Sequence, residues 1–591
     1  MSNIFSERIE ALRGLMRSRG WDAVIIGGSD PHQSEYPADR WKQVRWLTGF
    51  TGEAGDVVVT LDHCGLWTDT RYFIQAREQL EGSGAVLHKT RVPEEVLIPE
   101  WLEMQFDSEA VIALDSLCQS AEAVENLRES FNVVGVPDLL GVLWEDRPCI
   151  PQTPVFRIRA GESRQQKLEW LRETLCENGC DAILVSALDE VAWLLNVRAS
   201  DIEYNPMAIS YLLVGEDYVN WYVLKEEVED PQSLDTFDVL GQEGISILPY
   251  ESIALALAGM EDQRLWLDSV SVNAQLYEAV GCAVLFKPSP VAARKEVKDP
   301  QEIEWIRDAH LRDGLAMEKF LFWLERSLAA GKRISEWDAA VKLGQYRAEI
   351  PDYMGDSFET ISAYGKGAAL PHYVTPKENA PIIEPHGLYL CDSGGQYLSG
   401  TTDITRTVPL GDCTQEEIRD YTLVLKGHID LATAVFPAGT PGCRIDAAAR
   451  LPLWRNLMNY GHGTGHGVGF FLGVHEGPHQ IRQNMGPEPL VEGMVTSDEP
   501  GIYREGKHGV RHENLLLTVD AGTTGFGSFL AFETLTLCHF DTSAIDVSLL
   551  DRFELEWLNA YNRRVFETLG PLLDKEIAQW LEAKTAPLVL E

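Results

Sequence analysis

The sequence lacks the features that would place it in a membrane, on a secretory route or on a nucleic acid. No apolar run approaches the roughly 20 residues that a membrane-spanning helix needs. Its start has no basic stretch followed by an apolar core, so we expect no secretory signal. The formal net charge is −41, from 50 basic and 91 acidic residues. This sign disfavours binding to nucleic acid or to an anionic membrane.

Closely spaced cysteine pairs are also missing. The ten cysteines are scattered through 591 residues. Cys176 and Cys180 lie four positions apart on a predicted helix, which is not the spacing of a redox or zinc-ribbon motif. Reduced thiols in a cytosol are the simplest explanation, so we expect a cytoplasmic protein.

An internal echo indicates how the chain is divided. A chain of 591 residues is too long for one ordinary core. The segment from Arg8 to Ile26 recurs from Lys167 to Val185 at a constant offset of 159 residues. Each copy has the pattern of an amphipathic helix, a glycine stop and a buried strand. We therefore predict two related α/β domains, residues 1–154 and 155–292, followed by a third domain at residues 293–591.

Helix-start signals mark the third domain. Asp299-Pro300-Gln301-Glu302 has an N-cap aspartate, a proline at the first position and an acid at the third, and it predicts a long helix to about Ser327. Thr414-Gln415-Glu416-Glu417 is a second capping box. After about Phe540, a pattern that includes Leu555 and Leu558 predicts a helical tail.

Five polar side chains in the third domain form a candidate metal site: Asp392, Asp403, His466, Glu499 and Glu513. Four carboxylates and one imidazole suit two hard divalent ions held close together, not a thiolate zinc site. Paired ions lower the pKa of a bound water and polarise a carbonyl, so the set predicts metal-assisted hydrolysis. Taken singly, each side chain has an ordinary explanation, such as a turn aspartate, a solvated glutamate or a hydrogen-bonded histidine.

Two predicted hairpins would bring the carboxylates together. Strands at residues 388–392 and 401–408 are joined by a glycine-rich turn at Gly394-Gly395, so we expect Asp392 and Asp403 to face each other. A second hairpin, from strands at residues 494–499 and 510–518, would carry Glu499 and Glu513. Four converging carboxylates would repel strongly unless cations neutralise them.

The motifs around these residues resemble those of the metal-dependent Xaa-Pro aminopeptidases, the aminopeptidase P branch of the pita-bread peptidase superfamily. The resemblance covers nearly the whole chain and is to the three-domain cytosolic-type form. It rests on residues 29–36, 67–73 and 187–193, and above all on His462-Gly463-Thr464-Gly465-His466-Gly467-Val468-Gly469 with Val474-His475-Glu476-Gly477-Pro478. The implied fold is two tandem creatinase-like α/β domains followed by a pita-bread catalytic domain with a helical tail.

By this resemblance, Asp392 binds one ion, Asp403 and Glu513 bridge the pair, and His466 and Glu499 complete the second. The family usually uses two manganese ions, and some members accept zinc or cobalt. Affinity orders favour several first-row ions, so the sequence itself does not fix the metal.

Further residues map onto functional positions of the family. His372, His462 and His475 are implied to bind substrate and to shuttle protons, which suits the pKa of histidine. Arg511 is implied to order the site or to line the proline pocket. Arg71 is implied to reach towards the substrate, although a structural ion pair explains it equally well. His512 departs from the usual apolar residue, and in a strand it would point away from the face of Glu513, so we expect it outside the ligand set or at the surface.

The implied activity is release of the N-terminal residue from peptides with proline in the second position. A metal-bridging hydroxide would attack the carbonyl, and Glu499 would handle the proton of the water. The X-Pro bond is a tertiary amide without N–H, so it lacks a donor that an ordinary aminopeptidase could use. Two alternatives stay open, a prolidase-type Xaa-Pro dipeptidase and a non-catalytic binding protein on the same fold. A homodimer is implied by the resemblance, and neither a nucleic acid nor a membrane partner is expected.

Overall fold

The computed structural model describes residues 3–224, 230–484 and 486–589. The chain divides into two compact units, Met1–Ala292 and Ala293–Glu591. Across the described ranges, no helix combines the length and the apolarity needed to cross a bilayer. All ten cysteines fall inside these ranges and none forms a disulfide.

The first unit begins with a mixed sheet covered by helices. Within residues 3–224, six strands pair in the order β4-β3-β2-β1-β5-β6. Alternate residues of β1 enter two different hydrophobic clusters, so this sheet is buried on both faces. The strands are β1 (Ala23–Ile26), β2 (Asp56–Thr60), β3 (Cys64–Thr68), β4 (Val86–Lys89), β5 (Val111–Leu114) and β6 (Asn132–Gly135), and the helices are α1 (Ile4–Arg19), α2 (Gln43–Thr48), α3 (Phe73–Gln79), α4 (Ile98–Gln105) and α5 (Ala121–Arg128).

A second sheet of the same unit repeats this arrangement. Among the described residues, six strands pair in the order β12-β11-β10-β8-β13-β14. A separate pair is formed by β7 and β9. The strands are β7 (Phe156–Arg157), β8 (Ala182–Val185), β9 (Val197–Arg198), β10 (Ser210–Gly215), β11 (Val219–Val223), β12 (Ile245–Pro249), β13 (Arg264–Leu267) and β14 (Ala283–Phe286), and the helices are α6 (Arg164–Glu177), α7 (Leu188–Leu195), α8 (Pro231–Gln242), α9 (Ile253–Ala258), α10 (Ala274–Glu278) and α11 (Pro290–Lys295).

The two sheets confirm the echo seen in the sequence. In both, the first strand lies between an antiparallel and a parallel neighbour. In both copies, a left-handed glycine after the helix leads into that strand: Gly20 has φ +70 and Gly179 has φ +63. A side chain with a Cβ disfavours this conformation, which explains why glycine stops both helices.

The second unit is built around long capped helices. Asp299 caps α12 in a capping box with Glu302, and Thr414 caps α14 in a box with Glu417, as predicted. The predicted tail is helical and packs with α12 in the main core of the unit. The helices are α12 (Pro300–Ala329), α13 (Glu336–Ala348), α14 (Gln415–Ala432), α15 (Asp446–Trp454), α16 (Arg552–Leu569) and α17 (Lys575–Lys584).

Two sheets carry the candidate site in this unit. One sheet has the order β17-β19-β22 and another has the order β23-β30-β29-β26-β24-β25. Smaller pairings are β15-β18, β16-β20-β21 and β27-β28. The strands are β15 (Ile334–Ser335), β16 (Tyr353–Asp356), β17 (Ile361–Tyr364), β18 (Ile382–Ile383), β19 (Leu388–Ser393), β20 (Gly395–Tyr397), β21 (Gly400–Thr401), β22 (Ile404–Pro409), β23 (Phe436–Pro437), β24 (Gly465–Gly467), β25 (Glu476–Ile481), β26 (Val495–Asp498), β27 (Gly501–Arg504), β28 (His508–Arg511), β29 (Asn514–Thr524) and β30 (Gly527–Thr534).

Candidate active site

The first hairpin forms, but its register differs from the one expected. β19 and β22 pair Asp392 with Thr405, so the expected direct opposition of Asp392 and Asp403 is wrong. β20 and β21 continue the same register to Tyr397 and Gly400, which places the turn beyond Gly394-Gly395. Asp403 therefore lies diagonally from Asp392 on the same face, a separation that side chains can still bridge.

The second hairpin forms as predicted and is longer than predicted. β26 pairs with β29 through Asp498 and Asn514, and β27 pairs with β28 through Gly501 and Arg511. The two segments share one register with a break between them. Glu499 and Glu513 lie in that break, so each is free of strand pairing and can turn towards the same side.

His466 on β24 lies between two of the carboxylates. Its Nε2 is 3.5 Å from Asp403 Oδ2 and 3.4 Å from Glu499 Oε1. Its Nδ1 is 2.9 Å from the carbonyl oxygen of Gly467, so Nδ1 carries the hydrogen of the neutral ring. Nε2 faces the two carboxylates, and with Nδ1 held by a carbonyl it is placed to act as a ligand atom for a cation there. The ligand atoms of Asp403, His466 and Glu513 all lie within 4.8 Å of one another.

Burial makes this concentration of negative charge unfavourable. Burial, and then the charges of Asp392 and Glu499, raise the pKa of Asp403 well above its usual range. Burial and neighbouring carboxylates do the same to the pKa of Glu513, and burial raises the pKa of Glu499 to about 7. Oδ1 of Asp392 and Oδ1 of Asp403 are buried and accept no hydrogen bond. Unused acceptors, a directed imidazole lone pair and crowded carboxylates together fit a pair of hard cations.

Arg511 connects the ligand set to its surroundings. Its guanidinium donates to Asp392 Oδ2 at 2.5 Å, to Thr405 Oγ1 at 3.2 Å and to the Tyr503 hydroxyl at 2.7 Å. Thr405 Oγ1 in turn donates to Glu513 Oε2 at 2.7 Å. The two hairpins are therefore tied together through one buried cation and one threonine hydroxyl.

The predicted histidines surround this network. His462 Nδ1 is 2.6 Å from the Gly463 carbonyl, and its Nε2 is 2.8 Å from the Tyr503 hydroxyl. Burial and the positive charge of Arg511 lower the pKa of His462 well below its usual value, and His372 lowers it further. The ring of His475 packs against that of His466, with centroids 4.3 Å apart. Arg71 belongs to the first unit, where its guanidinium forms a two-point ion pair with Asp69 at 2.9 and 2.8 Å.

His512 is buried, so a surface position is wrong for it. Its ring packs edge-on against Tyr421 and Phe540, with centroids 4.4 and 5.5 Å away. Burial, and then the charge of Arg406, lower its pKa well below the usual value. His512 is not part of the ligand cluster, in agreement with its position on the opposite side of the strand from Glu513.

Sequence reasoning missed three residues that hold the site together. Tyr503 links His462 to Arg511, Thr405 links Arg511 to Glu513, and Ser497 donates to Glu499 while it accepts from the His466 amide. The sequence does carry a signal for Tyr503. Tyr503 lies two residues after Gly501 on β27, and Gly501 is the residue paired with Arg511. Alternation therefore puts Tyr503 on the face of Arg511.

Comparison with protein families agrees with the architecture. The model of Metallopeptidase family M24 matches residues 304–520, and the model described as the C-terminal region of peptidase M24 matches residues 528–588. Two models described as Creatinase/Prolidase N-terminal domain match residues 8–149 and 146–302.

Individual relatives match over the full length. A probable Xaa-Pro aminopeptidase P from Laccaria bicolor is 39% identical over 611 residues, covering 99% of this chain and 94% of the relative. Aminopeptidase P1 from Arabidopsis thaliana is 36% identical, covering 99% of both chains. The crystal structure of an X-prolyl aminopeptidase from Caenorhabditis elegans, described as a cytosolic enzyme with a di-nuclear active site, superposes with a TM-score of 0.93 at 36% identity, over 98% of this chain and 99% of that one. A Xaa-Pro dipeptidase from Bacillus anthracis shares the fold over 63% of this chain, at 24% identity and a TM-score of 0.50.

Proposed function

The chain belongs to the aminopeptidase P family of M24 metallopeptidases, and from this premise we propose which of its residues carry out the reaction. It is a hydrolase that releases the N-terminal residue from peptides with proline in the second position and uses a two-metal centre. Full-length similarity to aminopeptidases of this specificity favours this activity over that of a dipeptidase. For the roles of individual residues, the observation that carries the proposal is the clustering of ligand atoms from Asp403, His466 and Glu513 within 4.8 Å of one another.

The division of the ligands between two ions is the one that the family resemblance implies, and the clustering of Asp403, His466 and Glu513 supports it. Asp392 would hold one ion, Asp403 and Glu513 would be shared, and His466 with Glu499 would complete the second. Two divalent ions there would lower the pKa of a bound water and polarise the scissile carbonyl. We propose manganese because the family that the sequence resembles usually uses it, and a carboxylate-rich set with one imidazole accepts manganese as well as zinc or cobalt. Elemental analysis of protein purified without added metal tests the identity.

Glu499 is proposed as the general base. Its side chain is partly exposed and its Oε1 lies 3.4 Å from His466 Nε2, so it can reach a water held at the ligand cluster. Ser497 donates to Glu499 Oε1 at 3.2 Å and fixes that oxygen, which leaves the carboxylate oriented for the proton of the attacking water.

The three histidines are proposed to serve the substrate. The proline nitrogen of the scissile bond has no hydrogen and must gain one as it leaves, so a proton donor is required at that atom. His475, packed against His466, and His372, next to His462, are the donors that we assign. His462 stays neutral with Nε2 directed to Tyr503, so it binds substrate within a fixed hydrogen-bond chain. Arg511 orders Asp392 and Tyr503 through its hydrogen bonds to them. We propose that Arg71 acts at the substrate through a guanidinium N–H that does not take part in its ion pair with Asp69.

Hydrolysis of three peptides by metal-stripped protein tests this proposal. We expect added manganese to restore cleavage of Arg-Pro-Pro and not of Arg-Ala-Ala. Turnover of Gly-Pro alone would instead identify a Xaa-Pro dipeptidase. No cleavage with any divalent ion would identify a non-catalytic protein on this fold.

A homodimer, a cytoplasmic location and domain boundaries at 154/155 and 292/293 complete the proposal. Three apolar side chains close in the chain, Leu451, Trp454 and Leu457, are 41, 38 and 97% exposed on α15 and the following turn, which is typical of a surface that a partner covers. Light scattering should give a dimer mass for the wild type and a monomer mass for Trp454→Ser with Leu457→Ser. A monomeric wild type would refute the dimer.

The cytoplasmic location is supported by the description of the Caenorhabditis elegans relative as cytosolic.

A further inference from the structure

A buried ion cluster lies directly beside His475. Glu476 side-chain oxygens accept hydrogen bonds from Lys295 Nζ at 2.6 Å and from Lys298 Nζ. The three side chains are only 1–2% exposed. Two ammonium groups around one buried carboxylate are unusual, because an unpaired buried charge is strongly unfavourable. The cluster holds Glu476 from two sides.

The lysines belong to a segment that is itself fixed to the strands of the site. Lys298 N donates to the Gly493 carbonyl at 2.9 Å, and Val297 pairs with Met494, just before β26 and Glu499. Lys298 Nζ also donates to the carbonyls of Lys295 and Glu296 at 3.2 and 3.3 Å. The segment that carries both ammonium groups is therefore hydrogen-bonded to the chain that leads into β26 and on to Glu499.

Glu476 is also fixed through its backbone, next to His466. β24 and β25 pair Gly467 with Glu476, and a Cβ on Gly467 would lie 2.3 Å from the Glu476 carbonyl oxygen, so the close approach requires glycine. The imidazoles of His466 and His475 are 4.3 Å apart. Side-chain and backbone contacts of Glu476 thus set the distance between a ligand candidate and its neighbouring histidine.

We propose that Lys295, Glu476 and Lys298 form a positioning device that aims the imidazole of His475 at the reacting peptide. This inference rests on the proposed role of His475. None of the three side chains needs to touch the substrate, and they act through the conformation of the chain at residues 475–476. A small displacement of a catalytic group lowers the rate without removing substrate binding, so the effect belongs to kcat.

The test is a double-mutant cycle between Glu476→Gln and His475→Ala, measured with Arg-Pro-Pro and manganese. Glu476→Gln should lower kcat about tenfold or more, with little change in KM and no loss of bound metal. In the His475→Ala background, the same substitution should cause almost no further loss, because the group that it positions is gone. Lys426→Met is the matched control: it removes a Lys–Glu pair of the same unit, 2.6 Å from Glu554, and should lower thermal stability while leaving kcat unchanged.

The outcomes separate this inference from the proposed function. The positioning role would be overturned if Glu476→Gln lowered kcat equally in the wild-type and His475→Ala backgrounds. It would also be overturned if Glu476→Gln alone had a normal kcat. Both outcomes leave the role of His475 standing. A normal kcat in His475→Ala would overturn the proposed role of His475 and this inference with it. If Glu476→Gln does not fold, Lys295→Met takes its place in the cycle, since it keeps Lys298 as a partner for Glu476.

Discussion

At the residue scale, the orientation or tautomer of several site side chains is set by one neighbouring residue each. Gly467 selects the tautomer of His466, Ser497 orients Glu499, and Tyr503 holds Nε2 of His462. Each contact uses a backbone carbonyl or a hydroxyl, whose donor and acceptor roles are fixed or easily adjusted. The site is thus preorganised by short polar contacts.

Replacing Glu499 with alanine should abolish turnover. The change removes a proposed ligand and the proposed general base together, and loss of general-base catalysis alone lowers kcat by about 10² to 10⁴. Steady-state kinetics with Arg-Pro-Pro at saturating manganese measures the effect. Glu505→Ala, an exposed glutamate on the β27–β28 turn, should keep the wild-type kcat. Near-normal activity of Glu499→Ala would refute the assignment.

Glu336 gives a prediction about pH that does not involve the ligand set. It is fully buried, accepts from the Tyr364 amide and the Tyr373 hydroxyl, and burial raises its pKa from 4.5 to about 7. The folded state therefore holds this proton up to about pH 7, while the unfolded state releases it near 4.5. Its contribution to stability is present below pH 4.5 and is lost as the pH rises to about 7.

Glu336→Gln should consequently stabilise the protein at high pH more than at low pH. The amide cannot ionise, so the variant avoids a buried charge that is unfavourable by at most about 3 kcal/mol. The difference in melting temperature between variant and wild type should increase from pH 5 to pH 8. Other buried acids titrate equally in both proteins and cancel from the difference. An unchanged difference across this range would contradict the raised pKa.

At the scale of elements, a glycine sets the distance between the two aspartates of the first hairpin. A Cβ on Gly394 would lie 2.0 Å from the Thr402 carbonyl oxygen and 2.1 Å from Ser357 Oγ. Gly394→Ala should push β20 away from the segment that carries Asp403, and thereby weaken metal binding. Metal content and manganese titration of activity measure this. Gly344→Ala on α13 is the control: nothing lies within 4 Å of its Cβ, so it should bind metal normally. Equal metal affinity in both variants would exclude the steric role of Gly394.

The same hairpin shows how far the sequence could predict the structure. Alternation and β-branched residues predict both strands correctly. The predicted turn at Gly394-Gly395 is wrong, because Gly394 serves close approach and the turn lies at Leu398-Ser399. The register of a hairpin depends on where the chain turns. Two adjacent glycines are compatible with a turn and also with close packing against another segment, so they do not locate the turn. Helix caps were predicted correctly because a capping box is satisfied within four consecutive residues.

Burial of polar groups was less predictable than element type. His512 was expected to leave the ligand face, and it does, but strand alternation does not indicate whether the opposite face meets solvent or another layer. Here α14 and the chain around Phe540 cover it. The five ligand candidates stand out because several motifs agree, whereas Thr405 leaves no spacing pattern and Tyr503 leaves only its alternation with Gly501 on β27.

At the scale of the whole molecule, the two units differ in what they contain. The first unit has the repeated sheet, and the second has the ligand cluster. The two six-stranded sheets share one strand order, which agrees with the two related α/β domains that the echo predicts. The ligand candidates all lie in the unit Ala293–Glu591. Removal of metal should therefore act on the stability of the second unit alone.

Calorimetry of metal-stripped protein, with and without manganese, tests this. An ion at 100 times its dissociation constant contributes about 2.7 kcal/mol to the unit that binds it, so one melting transition should move up by several degrees and the other should stay. Asp403→Asn assigns that transition, because it removes a proposed shared ligand and should abolish the shift. The same variant should melt at a higher temperature than the wild type when both are stripped at pH 8, since it removes one charge from four crowded carboxylates. A stripped variant that melts below the stripped wild type would mean that the carboxylates do not repel each other without metal, and the cluster would then owe its form to protein contacts and not to bound cations.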